Sequence, residues 1–231
     1  MKKPLCALRL GNACLMDTIQ FIIANLGVIG SLAVQHIWIV GVAVGLAVLT
    51  GVPIGIAITQ DKNVAATILY VASIIVTIPS IALFGLMIPL LSMIGQGIGW
   101  LPAVIAILLY SQLPIIRNTY TAITNVDPAL REAARGMGMT PLQRLWQVEI
   151  PIAVPVIMAG VRTAVVMNIG VAAIAAYIGA GGLGVLISRG ISQSDPRQLI
   201  AGALAVSLLA IVADYVLLLI QKRMTPAGLK R

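Results

Sequence analysis

Apolar positions run together along this chain far more often than they alternate. No Asp, Glu, Lys or Arg interrupts the stretches from Thr18 to Gln60, from Asn63 to Ile116, or from Thr163 to Ser188. A helix needs about 20 mostly apolar residues to cross a bilayer, so each stretch holds at least one crossing. The middle stretch must fold back on itself. Its natural break is Gly95-Gln96-Gly97-Ile98-Gly99-Trp100-Leu101-Pro102, rich in turn formers and carrying an interfacial Trp. The pattern predicts an all-α, polytopic membrane bundle with about five transmembrane helices, near residues 34–58, 65–92, 102–120, 155–177 and 198–221.

Residues 18–35 admit two readings. Ile19, Ile22, Ile23, Leu26, Ile29 and Ala33 follow helical spacing, while Gln20, Asn25, Ser31 and Gln35 interrupt the apolar surface. That pattern fits an amphipathic helix lying on the outer interface. The rival is a sixth span, which leaves almost no turn before His36, where two to eight residues are usual. The first reading divides the chain into an N-terminal segment 1–33, a transmembrane domain 34–225 with a loop at 121–150, and a tail 226–231.

Composition removes other classes. Hydrophobic residues make up 60% of the 231 and charged residues 10%, against roughly 25% charged in a soluble domain. A soluble enzyme, a disordered chain and a disulfide scaffold are excluded. The net charge of +8 follows from the positive-inside rule rather than from nucleic-acid binding. With Lys62, Arg117, Arg131, Arg135, Arg144, Lys222, Arg223, Lys230 and Arg231 in the cytoplasm, the other side holds Arg189 and Arg197, plus Lys2, Lys3 and Arg9 where the leading segment is present. The bias is larger without that segment, so Met16 is the expected start, with the N-terminus outside and the C-terminus cytoplasmic. Cys6 and Cys14 sit in this poorly patterned segment, and their spacing gives them no role.

Within the spans, Gly41/Gly45 and Gly51/Gly55 have small-xxx-small spacing suited to close helix packing. Pro53, Pro79 and Pro89 each remove a backbone hydrogen bond and mark packing kinks or moving gates. Among ionisable groups, Asp214 and Arg162 lie in apolar surroundings, where such residues are functional candidates. Asp214 could meet a cationic solute or be paired near the inner interface, since Lys222 and Arg223 follow about 12 Å further along the helix. Tyr70, Tyr110 and Tyr177 offer aromatic faces that could attract a cation, although the whole chain has too few aromatics for a full cage. His36, the lone histidine, reads as a hydrated interfacial residue or a proton relay.

One loop carries a message. Asp127 can cap a helix that begins at Pro128. Leu130, Ala133, Ala134 and Met137 then form one apolar stripe, with Arg131 and Arg135 on a neighbouring face. Gly136 and Gly138 end the helix. Thr140-Pro141-Leu142-Gln143 has capping-box spacing, and Leu142, Leu145 and Trp146 supply a second stripe. The expected object is a helix–glycine turn–helix held between two spans on the positive side. It either docks another protein or packs under its own membrane domain.

Glu132-Ala133-Ala134, three residues, Gly138, nine residues, then Val148-Glu149-Ile150-Pro151 resembles the EAA signature of inner-membrane permeases in ATP-binding-cassette importers. The family form ends Ile-x-Leu-Pro, and here Val148 and Ile150 stand for Ile and Leu. Gly51–Gly55, Thr77–Leu86 and Gly179–Gly184 fit the same superfamily, and the resemblance covers about residues 30–225. Gly160–Gly170 is most similar to permeases for glycine betaine, carnitine, choline and related osmoprotectants.

The resemblance implies a multi-pass subunit of the bacterial inner membrane, paired with a second copy or a paralogue. A cytoplasmic ATPase dimer would bind its coupling loop, and an extracytoplasmic solute-binding protein would deliver the solute. Carried onto this chain, Glu132, Ala133, Ala134, Arg135 and Gly138 mark the ATPase-coupling loop. Pro79, Asn168, Tyr177 and Asp214 are the candidate gate or pathway residues. A methionine or other amino-acid importer keeps the machinery and changes the cargo. An autonomous secondary transporter or channel is the alternative of a different class.

The sequence has no Gly-x-x-x-x-Gly-Lys-[Ser/Thr] phosphate loop, so ATP would be hydrolysed by a partner and the chain itself is no enzyme. Gly179–Gly184 matches Gly-x-Gly-x-x-Gly but lacks the preceding strand and the later acidic residue, so no dinucleotide site is expected there. It reads instead as a glycine-rich bend beside the outer mouth that meets the binding protein. One His and two Cys give a metal no ligand set. Neither a cofactor nor nucleic acid is implied.

Overall fold

The computed structural model describes residues 12–225. The leading segment with Lys2, Lys3, Cys6 and Arg9, and the tail with Lys230 and Arg231, lie outside the described residues. In chain order the helices are α1 (Asn12–Ala24), α2 (Leu26–Ala57), α3 (Lys62–Thr77), α4 (Ser80–Ser92) and α5 (Trp100–Thr124). They continue with α6 (Pro128–Gly136), α7 (Pro141–Arg144), α8 (Ile150–Ile174), α9 (Gly184–Ser192) and α10 (Pro196–Met224). Among the described residues four helical runs are long and apolar enough to cross a membrane, or five if α3 and α4 form one broken span. The expected bundle of about five crossings is therefore present.

Two boundaries differ from the sequence reading. The stretch 18–35 is not one helix, because the chain breaks at Asn25. That amide donates back to the Phe21 carbonyl at 2.8 Å, and its backbone N–H does so at 3.1 Å. Residues 26–35 belong to α2, and α1 is too short to cross. The second difference is the break at Ile78-Pro79 between α3 and α4. The residue before a proline is pushed out of the helical region, and Ile78 is extended at φ −68°, ψ 125°. Pro53 and Pro89 stay inside uninterrupted helices.

The chain gathers into two compact units. The first comprises the described residues up to Gly41 together with 80–106 and 169–211. Here the expected bend at 95–102 forms, with left-handed φ at Gly95 and Gly99. Gly99 donates to the Ile178 carbonyl at 2.9 Å, and Trp38 meets Trp100 edge to face at 5.4 Å between centroids. The second unit comprises 42–79, 107–168 and the chain from Val212. Its core includes a cluster of Ala122, Ile123, Ala153 and Ile157, with Val52, Ile56, Leu145 and Ile150 against it, and a second of Ile58, Ala65 and Ile116.

Small residues let the helices of the second unit approach closely. A Cβ at Gly55 would stand 2.6 Å from the Thr119 Cβ, and one at Gly160 2.7 Å from the Pro114 carbonyl. Of the two glycine pairs in α2 only Gly51/Gly55 is used in this way, since Gly41 and Gly45 meet nothing within 4 Å. Large apolar side chains left exposed on the helices, such as Leu49, Ile81, Leu208 and Ile211, are what a chain solvated by lipid presents.

Candidate functional site

The elbow 127–149 is built by caps at each step. One oxygen of Asp127 accepts from the Ala129 N–H at 2.9 Å, and Pro128 opens α6. At the far end Gly138 takes φ +79°, a left-handed conformation that costs an L-residue roughly 1–2 kcal/mol. The turn closes with Gly138 donating to Arg135 and Met139 to Ala134. Thr140 and Gln143 then form the expected reciprocal capping box, at 3.3 and 2.9 Å, around α7. After α7 the chain makes one wide π turn over Leu145–Glu149 before α8 begins.

This geometry sorts the residues singled out in the sequence. Glu132, Ala133, Arg135 and Gly138 are exposed, and Ala134 is buried. Leu130, Met137, Leu142 and Trp146 are 45–69% exposed. The first stripe is thus divided: Ala134 packs inward, while Leu130, Ala133 and Met137 remain outside. Within the chain no ion pair among the described residues engages Glu132 or Arg135. The elbow therefore presents large apolar side chains beside an unpaired acid and an unpaired base.

Sequence reasoning missed Glu149. It is only 5% exposed, and one oxygen, Oε1, accepts from the Arg144 Nε at 2.8 Å while the Arg131 Nε stands 3.4 Å away. Five residues separate Arg144 and Glu149, roughly 140° apart around a regular α-helix. The π turn, whose hydrogen bonds run to the fifth residue, brings them into line. Nothing in the local sequence announces such a turn.

The other candidates have their own surroundings. Arg162 on α8 grips Asp214 on α10 and also donates to the Gln221 Oε1 at 3.0 Å, while Gln221 donates to the Pro155 carbonyl at 2.7 Å. Asn168 is fully buried, and its amide donates to the Ser111 Oγ at 2.8 Å and the Ala164 carbonyl at 2.9 Å. Its Oδ1 has no partner. Pro79 makes the break between α3 and α4, and the Tyr110 hydroxyl donates to the Ile78 carbonyl there at 2.6 Å. Tyr110 is thus buried and engaged, whereas Tyr70 and Tyr177 are well exposed.

His36 departs from the expectation of a hydrated residue. It is buried, its Nδ1 accepts from the Leu183 N–H at 3.2 Å, and its Nε2 lies 3.1 Å from the Ile169 carbonyl. A backbone amide can only donate, so the proton of the neutral ring sits on Nε2 and donates to Ile169. The neighbouring Gln35 accepts from the Gly182 N–H at 3.1 Å. Together they bolt the glycine-rich bend, where Gly181 and Gly182 have φ +85° and +74°.

Residues 47–226 match the family described as the inner membrane component of binding-protein-dependent transport systems. The chain belongs to that family. Among curated members it is similar to the osmoprotectant import permease protein OsmW of Salmonella typhimurium, 60% identical over 215 residues, covering 93% of this chain and 100% of that protein. It is also similar to the choline transport system permease protein OpuBB of Bacillus subtilis, 49% identical over 135 residues, 58% of this chain and 62% of that protein. The fold is that of a chain in the inward-facing MetNI methionine ABC transporter, with a TM-score of 0.78 and 22% identity over 87% of this chain and 98% of that one. As an inner membrane component of a binding-protein-dependent transport system, this protein is one part of a larger assembly.

Proposed function

We propose that this inner membrane component is the permease subunit of an ATP-driven importer for small quaternary-amine osmoprotectants such as glycine betaine, carnitine or choline. The single observation that carries the cargo class is the 60% identity, over its whole length, with a relative named as an osmoprotectant import permease. The observation that supports the mechanism is the separately capped elbow with its exposed Leu130, Met137, Leu142 and Trp146.

In this reading the elbow is cytoplasmic, with the C-terminus on the same side and the N-terminus outside. Each of two permease copies, or this chain and a paralogue, sets its elbow into a groove of a cytoplasmic ATPase dimer. Glu132, Ala133, Arg135 and Gly138 form the coupling surface, with Ala134 beneath it as the remaining member of the coupling loop. Buried Ala134 lets α6 lie close to its own membrane domain, while exposed Ala133 lets a partner approach the helix backbone. Nucleotide-driven closure of the ATPases moves the two elbows, and the attached bundles rock to alternate access. An extracytoplasmic binding protein delivers the solute. Pro79 and Asn168 remain the gate candidates, the first through the interrupted helix and the second through its unpartnered buried oxygen. Tyr177 offers an exposed ring to a cationic solute. Asp214 serves Arg162, because a carboxylate already gripped by a guanidinium is a poor counter-ion for solute.

The test is uptake by proteoliposomes holding this chain with its ATPases and binding protein. ATP-dependent uptake of labelled betaine, carnitine or choline, each competing with the others and not with methionine, is expected. Uptake of methionine alone would replace the cargo. Uptake by this chain without ATPases, driven by a proton or sodium gradient, would overturn the mechanism.

A further inference from the structure

Four elements converge on one buried carboxylate. Glu149 stands at the head of α8, Arg144 ends α7, Arg131 lies in α6, and the last turn of α5 carries the Ile123 carbonyl. Arg144 donates to the Glu149 Oε1 at 2.8 Å, and the Arg131 Nε is 3.4 Å from that same oxygen. The other end of the Arg131 guanidinium, Nη2, donates to the Ile123 carbonyl. The terminal carbonyls of a helix lack intrahelical partners and favour a cation. Arg131 therefore ties the end of α5 to Glu149, and Arg144 ties α7 to it.

We infer that Glu149 is the positioning residue that braces the elbow against the membrane helices, holding α6 through Arg131 and fixing the π turn between α7 and α8 through Arg144. α7 runs into α8 through the π turn with no loop between them, and α6, which is joined to α7 by the turn at Gly138, is braced against the head of α8 by this charged joint. The inference rests on the coupling role proposed for the elbow, and adds the element that makes the elbow stiff. Three features support it. The caps of α6 and α7, at Asp127 and Thr140, are independent of Glu149. The partners are guanidiniums, whose planar donor forks lose less freedom per bond than a lysine would. The π turn has a specific consequence, which is to bring Glu149 under Arg144. Removing the carboxylate should leave the elbow folded and docked but loosely hinged.

The experiment uses the complete importer in proteoliposomes and reads solute molecules moved per ATP hydrolysed. Glu149→Ala and the near-isosteric Glu149→Gln are expected to keep ATPase binding and ATP turnover while lowering that ratio, for Ala by about fivefold to tenfold. A merely structural role would lower transport and hydrolysis together and leave the ratio unchanged. A wild-type ratio in an assembled Glu149→Ala importer would overturn the inference. Loss of assembly in both variants would also overturn it, since the independent caps are held to keep the elbow intact. In parallel, Met137→Cys in the otherwise native chain is tested for cross-linking to the ATPase. No cross-link in any nucleotide state would sink the coupling role itself. A cross-link with an unmoved ratio would sink only the joint.

Discussion

Arg162 holds both carboxylate oxygens of Asp214, through Nη2 at 2.8 and 2.9 Å and through Nε at 3.0 Å. The two side chains are 23% and 42% exposed. Removing one partner leaves an uncompensated charge, whereas replacing both with apolar groups of similar volume is often neutral. Asp214→Leu or Arg162→Leu alone should therefore destabilise the purified chain by about 1–3 kcal/mol. The double variant should lie nearer to wild type than either single one. Thermal unfolding in detergent checks this, and strictly additive losses would mean that the pair acts as two unrelated residues.

The Gln35–His36 bolt makes a second prediction. His36→Leu removes an acceptor from the Leu183 N–H and a donor from the Ile169 carbonyl, both in a buried setting. The cost should be about 1–3 kcal/mol. Gly182→Ala should cost at least as much. Its φ is left-handed, and the new Cβ would stand 2.9 Å from the His36 Nδ1. Amide hydrogen exchange is the sensitive readout, with protection lost first at Leu183. Unchanged exchange there in His36→Leu would show that the bend holds itself.

The difference between these two cases shows how far the chain could be read in advance. Charge-free runs made the crossings legible, because lipid demands apolar length and nothing else competes with that demand. The caps of α6 and α7 were legible because Asp127, Pro128, Thr140 and Gln143 act over three or four residues. Partners distant in sequence were not. Asp214 and Arg162 could each be noticed for their cost in an apolar setting, yet only the packing of α8 on α10 shows that they are partners. His36 looked like an interfacial residue because its acceptor and donor lie more than a hundred residues away. Glu149 was hidden for a subtler reason: its pairing with Arg144 needs a π turn, and a regular helical wheel sets the two far apart. The break at Asn25 was equally opaque, since in the sequence Asn25 is only one of four polar residues interrupting the apolar surface of 18–35.

Asp195 gives a pH dependence outside the apolar core. It precedes α10, accepts from the Arg197 backbone N–H at 3.0 Å, and pairs with the Arg197 side chain at 3.1 Å. The hydrogen bond from the Arg197 side chain, the largest cause, holds its carboxyl below the ordinary value of 3.8. A depressed acid stabilises the folded state above its unfolded value and loses that contribution as pH falls through the folded value. The first turn of α10 should therefore be fully protected at neutral pH and loosen only below about pH 4. Asp195→Asn should remove the acid dependence while keeping most of the cap. Hydrogen exchange at Arg197–Leu199 across pH 3–7 checks this, and identical profiles for wild type and Asp195→Asn would discard the ion pair as a contributor.

Gly138 separates folding from coupling. Its left-handed φ makes any L-residue unfavourable there, yet nothing stands within 4 Å of a Cβ at this position. Gly138→Ala should thus cost only the backbone penalty, about 1–2 kcal/mol. Gly138→Asn should cost less, since Asn tolerates this conformation. Gly138→Asp adds a charge on the face that would meet the ATPase, and should abolish ATP-linked uptake at normal expression. The order of uptake is then Gly, Asn, Ala and Asp if backbone strain and surface charge both matter. Asn at the level of Asp would assign the effect to the added side chain, whereas full uptake by the Asp variant would remove this turn from the coupling surface. Measuring copurified ATPase for each variant separates loss of docking from loss of a folded elbow, because the Thr140 capping box beside the turn is untouched by all three changes.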